Sequence, residues 1–387
     1  MKKVLIVLPG MYYGGMERVA MIARKLLIKA GYYVRVVTLY KGDPDYKPDF
    51  HYDCLNCEIR EGTLGKILTE IKRTIKLKQY KKRLSPDIVI SYGKNSNFCN
   101  AFSKCGEKLI LGIRSYDWLY QYLLNYRLEK LTYSRCDKVV SVSRLIQVDA
   151  EKKFDIPSEK SEYLYNPYNL NEIERKSREL ITEINIPNDK KIIVTAGRIE
   201  NQKGFYHLVK SISLIREKEQ IRIYVMGHGS KQKDLEKLIE YYNLGNIIHL
   251  IGGQQNPYKF MKRADLYVMT SITEGFPNAM VEAMSLGTPI LTSDCKSGPR
   301  EILTNSDIHK ITCGIEYGDY GILTSPMTDS GDYTPNIEQC DIDFSKALEQ
   351  VINNEELLSK YGVLAQKRAL DFSYKAFSDK LIGIIEN

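Results

Sequence analysis

The chain has 387 residues, 43% hydrophobic and 27% charged, with 56 Lys and Arg against 48 Asp and Glu. That length exceeds one ordinary core and implies two or three domains, and the composition excludes a disordered or fibrous chain. The charge is uneven: residues 1–187 hold 33 basic against 22 acidic side chains, a surplus of +11, whereas residues 188–387 hold 23 against 26, or −3. A split of this kind directs one half toward an anionic partner, either nucleic acid or a membrane surface.

Val4 to Leu8 reads as a first buried strand; its apolar run stops at Pro9-Gly10, too early for an export signal. The loop Pro9 to Gly15 follows, then a helix from about Met16 with Val19, Ala20, Ile22, Ala23, Leu26 and Leu27 as its buried stripe. Gly31 ends it and Val34–Leu39 is the next strand, so the chain opens as a βαβ unit of a doubly wound parallel sheet. Gly14-Gly15 lets a ligand approach the backbone without a Cβ in the way. The dinucleotide fingerprint G-x-G-x-x-G is absent, which counts against a nicotinamide-dependent oxidoreductase.

Residues 64–83 predict a helix whose Leu64, Leu68, Ile71 and Ile75 share one face. Eight basic residues surround that stripe, including Lys72, Arg73, Lys76 and Lys78, with Glu70 the one acid among them. A solvated helix packed on the sheet is one reading; a basic amphipathic patch for anionic lipid headgroups is the other. Nucleic acid is not expected, because apart from Tyr80 no aromatic interleaves with the charges and no nucleic-acid motif accompanies them. No run of roughly eighteen apolar residues predicts a membrane span. Of the eight cysteines, Cys54 and Cys57 alone are closely spaced; near His51 they make at most half a zinc site, so reduced thiols in a cytosolic chain are expected.

Strands follow at Asp87–Ser91, Lys108–Ile113 and Lys138–Ser143, and Ser143 is placed to cap the next helix. Tyr165 to Asn169, with the charged stretch after it, marks a domain crossing. The βα rhythm then restarts: strand Lys191–Ala196, loop Gly197–Gly204, a helix from Phe205, strand Ile221–Met226 and strand Ile247–Gly252. Arg198 and Lys203 share the first of these post-strand loops, and a guanidinium with an ammonium suits a diphosphate.

Asp265–Thr270 is a further buried strand, and Asn278–Leu286 a helix begun by Pro277 and ended by Gly287-Thr288-Pro289. The loop between them carries Glu274 at a strand's carboxyl end, where open α/β sheets bind ligands, and offers free amides at a helix start. Glu282 lies one to two turns into the helix.

The carboxylates Glu274 and Glu282, separated by seven residues, resemble the Glu-x7-Glu signature of retaining GT-B glycosyltransferases of family 4 (group 1). Gly-Arg-x4-Lys-Gly at 197–204, the loop Gly14-Gly15-Met16-Glu17-Arg18, the strand Cys136–Ser143 and Gly298–Leu303 resemble the same family. The resemblance implies two Rossmann-like parallel-sheet domains facing across a cleft: residues 1–170 on the acceptor side, a linker at 171–187, a nucleotide-sugar domain at 188–365, and a C-terminal helix within 366–387 crossing back to the first domain. It implies that Arg198 and Lys203 neutralise the departing nucleoside diphosphate and that Glu274 touches the transferred sugar. Glu282 would hold the ribose hydroxyls; the run Gly275, Phe276, Pro277, Asn278 and Ala279, through its backbone amides at a helix start, would hold sugar hydroxyls or phosphate; Gly14 and Gly15 would line the donor phosphates. Many relatives carry a His in the loop occupied here by Arg114 to Asp117, so Arg114 or Tyr116 is the acceptor-side candidate.

The expected activity is transfer of a sugar from a UDP-sugar to a lipid-linked or glycan acceptor of a surface polysaccharide, on the inner face of the cell membrane. A glycogen- or starch-type synthase, or a nucleotide-sugar-binding protein without turnover, are the alternatives. No cofactor is expected, and no metal, since no Asp-x-Asp is placed as a metal clamp.

Overall fold

The computed structural model describes residues 1–12, 14–43, 48–115, 123–331 and 333–387. The chain divides into two compact units, Met1–Pro167 with Tyr374–Asn387, and Tyr168–Ser373.

In unit 1 the strands are β1 (Lys3–Leu8), β2 (Tyr33–Thr38), β3 (Asp53–Cys54), β4 (Ile88–Tyr92), β5 (Lys108–Ile113), β6 (Lys138–Ser141) and β7 (Ser161–Tyr163). They pair in parallel in the order β3-β2-β1-β4-β5-β6-β7. The central strands are continuous apolar runs, as both-face burial demands; Val4 to Leu8 are all fully buried. The helices are α1 (Gly15–Lys29), α2 (Gly62–Leu84), α3 (Lys94–Phe102), α4 (Leu123–Ser134) and α5 (Arg144–Phe154). Ser143 caps α5, its side chain accepting from the Ile146 amide.

Unit 2 repeats the plan with β8 (Lys191–Ala196), β9 (Ile221–Met226), β10 (Ile248–Gly252), β11 (Leu266–Met269), β12 (Ile290–Ser293), β13 (Ile315–Tyr317) and β14 (Ile322–Thr324). Their order is β10-β9-β8-β11-β12-β14-β13, parallel except for the antiparallel β13–β14 pair. Its helices are α6 (Leu170–Ser177), α7 (Phe205–Ser213), α8 (Gln232–Tyr241), α9 (Tyr258–Arg263), α10 (Asn278–Ser285), α11 (Pro299–Leu303), α12 (Gln339–Ile352) and α13 (Glu355–Ala369). Residues 171–187, expected as a linker, lie in unit 2: α6 packs on α9 and α10, and the buried Lys259 ammonium binds the Leu180 carbonyl at 3.2 Å and the Glu183 carboxylate at 2.6 Å.

The last helix, α14 (Tyr374–Glu386), belongs to unit 1. Phe377, Leu381, Ile384 and Ile385 are buried in that unit's core beside Val4, Ile6 and Val36. Its carboxyl end is held by Lys108, whose ammonium donates to the Ile384 and Ile385 carbonyls at 2.9 and 2.8 Å. A cation at a helix C-terminus satisfies orphan carbonyls and complements the helix dipole.

Candidate functional site

In unit 2 the chain runs from β8 outward through β9 and β10, then returns to lay β11 on β8's other side. Loops after β8 and β11 therefore diverge at a topological switch point, where such sheets bind ligands. Both loops carry the candidate residues, and hydrogen bonds zip them together. The Ile272 amide donates to the Gln202 carbonyl at 2.9 Å, Gln202 Nε2 to the Thr273 carbonyl at 3.0 Å, and Thr270 Oγ1 to the Gly204 carbonyl at 2.9 Å. Gly204 allows this approach: at φ +59° a Cβ there would lie 2.0 Å from the Thr270 oxygen.

The zipper brings Lys203 to Glu274. The ammonium sits 2.5 Å from Glu274 Oε1, and the same oxygen accepts from Ser271 Oγ at 2.7 Å. Ser271 is fully buried and Glu274 is 6% exposed. The backbone of Glu274 is clamped from the loop after β12: its amide donates to the Lys296 carbonyl at 2.6 Å, and its carbonyl accepts from the Ser297 amide at 2.9 Å. Beside this carboxylate the Cys295 thiol is pushed far above its ordinary range, first by burial and then by the charge of Glu274. Arg198, in the same loop as Lys203, is exposed.

Glu282 lies on α10 and is 5% exposed, with the Tyr258 hydroxyl 3.4 Å away as donor. Pro277 is the N-cap residue of α10 and supplies no side-chain cap, so the first amides of that helix are not consumed by a capping side chain. The Asn278 side chain accepts from the Tyr168 hydroxyl at 2.6 Å. Phe276 is turned into unit 2, its ring edge-on to Phe372 at 5.6 Å, so its ring serves packing. Ser271, Tyr258 and the Lys296–Ser297 strap were absent from the sequence reading; Ser271, three residues before Glu274 in one loop, is the one whose spacing could have signalled a role.

In unit 1, Gly14 is the N-cap residue of α1 and Gly15 its first residue. A Cβ on Gly14 would strike Glu17 Oε2 at 2.3 Å, so a buried carboxylate already fills the space beside it. Arg114, just past β5, binds the Asn166 side chain and lies over the Tyr92 ring at 5.7 Å. Tyr116 lies outside the described residues.

The basic helix corrects one expectation. Arg73 is fully buried, donating to the Cys57 carbonyl at 2.9 Å and to Glu70 at 2.6 Å, and cannot meet a membrane. Lys76 is half-buried and donates to the Leu55 carbonyl at 2.8 Å. The inward face of α2 is Thr69, Arg73, Leu77 and Lys81, one residue per turn. Polar acceptors await it, Lys81 ending in a buried pair with Glu107 at 2.6 Å. The aliphatic stripe consequently faces outward: Leu64 is 76% exposed, and Ile67, Leu68, Ile71 and Ile75 about half exposed at 55, 48, 51 and 52%. Lys66, Lys72, Lys78, Lys82 and Arg83 are exposed on the same helix. Among the described residues no helix is long and apolar enough to cross a membrane.

Among the described residues one cluster has metal-ligand types within reach, His207, Cys340 and Asp341. Its ring nitrogens are taken: Nδ1 faces Asp341 Oδ1 at 2.6 Å and Nε2 the Thr328 carbonyl at 3.0 Å. It reads as a buried ion pair. His51 pairs with Asp53 at 3.4 Å, and the Cys57 thiol donates to the Leu55 carbonyl at 3.5 Å.

Two sequence families match this arrangement, Glycosyltransferase Family 4 over residues 13–172 and Glycosyl transferases group 1 over residues 176–314. An uncharacterized glycosyltransferase of Methanocaldococcus jannaschii is 30% identical over 327 residues, 78% of this chain and 80% of its own. The chain belongs to the family 4, group 1 glycosyltransferases. A Campylobacter jejuni relative, N-acetylgalactosamine-N,N'-diacetylbacillosaminyl-diphospho-undecaprenol 4-alpha-N-acetylgalactosaminyltransferase, is 29% identical over 48% of this chain and 49% of its own. Among solved structures, Anabaena HepE in complex with UDP is 17% identical, covers 100% of both chains and superposes with a TM-score of 0.77. The fold is GT-B, with two Rossmann-like domains.

Proposed function

We propose that this glycosyltransferase moves a sugar from a UDP-sugar to a lipid-linked or glycan acceptor of a surface polysaccharide, with retention at the anomeric carbon and no divalent metal. The observation that carries the reading is the zipped pair of post-strand loops, which puts Lys203 on Glu274 at the switch point of unit 2. Unit 2 then takes the donor. Glu282 accepts from the ribose hydroxyls and the first amides of α10 hold sugar hydroxyls or phosphate. Glu274 faces the transferred sugar and stabilises positive charge developing at its ring. Departure of the nucleoside diphosphate concentrates negative charge, and Arg198 and Lys203 offset it. The departing phosphate takes the acceptor's proton on the face from which it leaves, so no second carboxylate is needed as nucleophile. UDP is the proposed nucleotide because HepE, which shares the fold, was solved with it.

Unit 1 takes the acceptor, with Arg114 on its sheet's carboxyl edge, while Gly14 and Gly15 keep the donor-phosphate role that the family resemblance implies. The lipid-diphosphate in the Campylobacter relative's name supports a lipid-linked acceptor. Helix α2, apolar outside and flanked by exposed lysines, is the proposed contact with an anionic membrane surface. The deciding experiment is a screen of nucleotide sugars for nucleoside diphosphate release, followed by the anomeric configuration of the product by NMR. No release from any UDP-sugar would remove the donor assignment, and an inverted product the retaining mechanism.

A further inference from the structure

We infer that Ser271 is a positioning residue for the transfer reaction, fixing the Glu274 carboxylate while Lys203 changes partners. The inference rests on the glycosyl-transfer reading above and extends it to a residue that reading does not use. Glu274 Oε1 has two hydrogen-bond donors, Lys203 Nζ at 2.5 Å and Ser271 Oγ at 2.7 Å. They differ in freedom. Lys203 is a long side chain, 23% exposed, at the end of a tight turn at Asn201–Lys203, and its ammonium has three rotatable donors. Ser271 is fully buried, and its backbone is held because its carbonyl accepts from Ser293 Oγ at 2.7 Å. A diphosphate entering beside Lys203 draws the ammonium toward itself. Ser271 cannot follow, so it remains the fixed donor to Oε1.

Holding one oxygen defines the other. With Oε1 pinned by Ser271 and the backbone of Glu274 pinned by Lys296 and Ser297, the carboxylate has one plane in which to present Oε2. Without the hydroxyl, a buried carboxylate whose cation has moved to the phosphate is short of a donor. It rotates toward whatever donor is left, away from the sugar. The loss therefore falls on the bound complex in which Lys203 is engaged, and less on the free enzyme.

The test uses Ser271→Ala and Ser271→Thr in the full chain, with UDP-glucose, UDP-galactose and their N-acetylated counterparts as probes. Wild-type UDP release on one of these establishes the underlying reading; release on none sinks both. On the active donor, Ser271→Ala is expected to lower kcat about 10- to 100-fold, the range for a hydrogen bond to a charged group. KM for the donor and the Kd for UDP stay within about threefold, and Ser271→Thr recovers most of kcat by restoring the hydroxyl. An alanine variant with kcat within threefold of wild type overturns the inference. So does a loss that threonine fails to recover, or one that tracks a fall in thermal midpoint, since each assigns Ser271 to packing alone.

Discussion

Replacing Lys203 by alanine separates the charge of this site from its architecture. Lys203→Ala leaves Glu274 buried with its Oε1 retaining the Ser271 hydroxyl and losing the ammonium at 2.5 Å. Removing one partner of a fully buried pair costs about 3–5 kcal/mol; with Lys203 23% exposed, roughly 2–3 kcal/mol is the fitting figure. A domain of this size loses about 2–4 °C per kcal/mol, which gives a fall of roughly 5–10 °C in the thermal midpoint. Turnover falls about 100- to 1000-fold, as when one donor to a developing anion is removed. Arg198→Ala is the control: the side chain is exposed, so stability moves by no more than about 0.5 kcal/mol while turnover falls by a similar factor. The double variant Lys203→Ala/Glu274→Gln removes the stranded charge and recovers most of the midpoint, yet none of the turnover. Calorimetry and UDP-release rates on the four proteins decide the matter. If Lys203→Ala is as stable as wild type, the ion pair adds nothing to the hydrogen bonds that hold the two loops. If Arg198→Ala and Lys203→Ala both turn over near normally, the diphosphate role is wrong.

Turnover in excess EDTA is expected to match turnover in Mg²⁺, since Arg198 and Lys203 are proposed to carry the leaving-group charge; loss with EDTA and rescue by Mg²⁺ or Mn²⁺ would contradict this. Sedimentation with vesicles containing anionic lipid is expected to weaken in two separate variants, Lys72→Glu/Lys78→Glu and Leu68→Ser/Ile71→Ser. Each exposed cation contributes about 1 kcal/mol near such a surface, and binding unchanged in both would leave α2 a solvated face. For His207, burial pulls its pKa down, but the hydrogen bonds to Asp341 and Cys340 and the charge of Asp341 outweigh it and hold the value up to about 9, against 6.5 as the ordinary value. The folded value is the higher one, so the stabilisation is complete below about pH 6.5 and lost as pH rises through about 9. At 1.36 kcal/mol per unit it amounts to about 3 kcal/mol. Urea midpoints from pH 6 to 9.5 should fall in wild type and stay flatter in His207→Gln; parallel curves would exclude the imidazolium.

The alternation of strands and helices was legible because both-face burial forces continuous apolar strands, and Val4–Leu8 and Lys191–Ala196 leave little choice. Helix α2 shows where that legibility ends. Its aliphatic period was plain in the sequence, but the direction it faces depends on partners far along the chain. Arg73 and Lys81 look like surface charges until the Cys57 carbonyl and Glu107 are placed beside them. Short strands such as β13 and β14, three residues each, carry too little pattern to be read at all. The site divides in the same way. The family resemblance singled out Arg198, Lys203, Glu274 and Glu282 as candidates, in the loops after β8 and β11 and on α10. It did not show that Lys203 and Glu274, 71 residues apart, meet at one oxygen. That meeting changes the electrostatic argument. The two cations and two carboxylates sum to zero, and Lys203 is engaged with Glu274. A nucleoside diphosphate adds negative charge and competes with Glu274 for the same ammonium. On the proposed reading binding and activation are then one event: the lysine drawn to the diphosphate leaves Glu274 Oε1 to Ser271, and Oε2 is the oxygen presented to the sugar. On this account neither charge is constant through the cycle, and Ser271, pinned by its neighbours, is the fixed point against which both move.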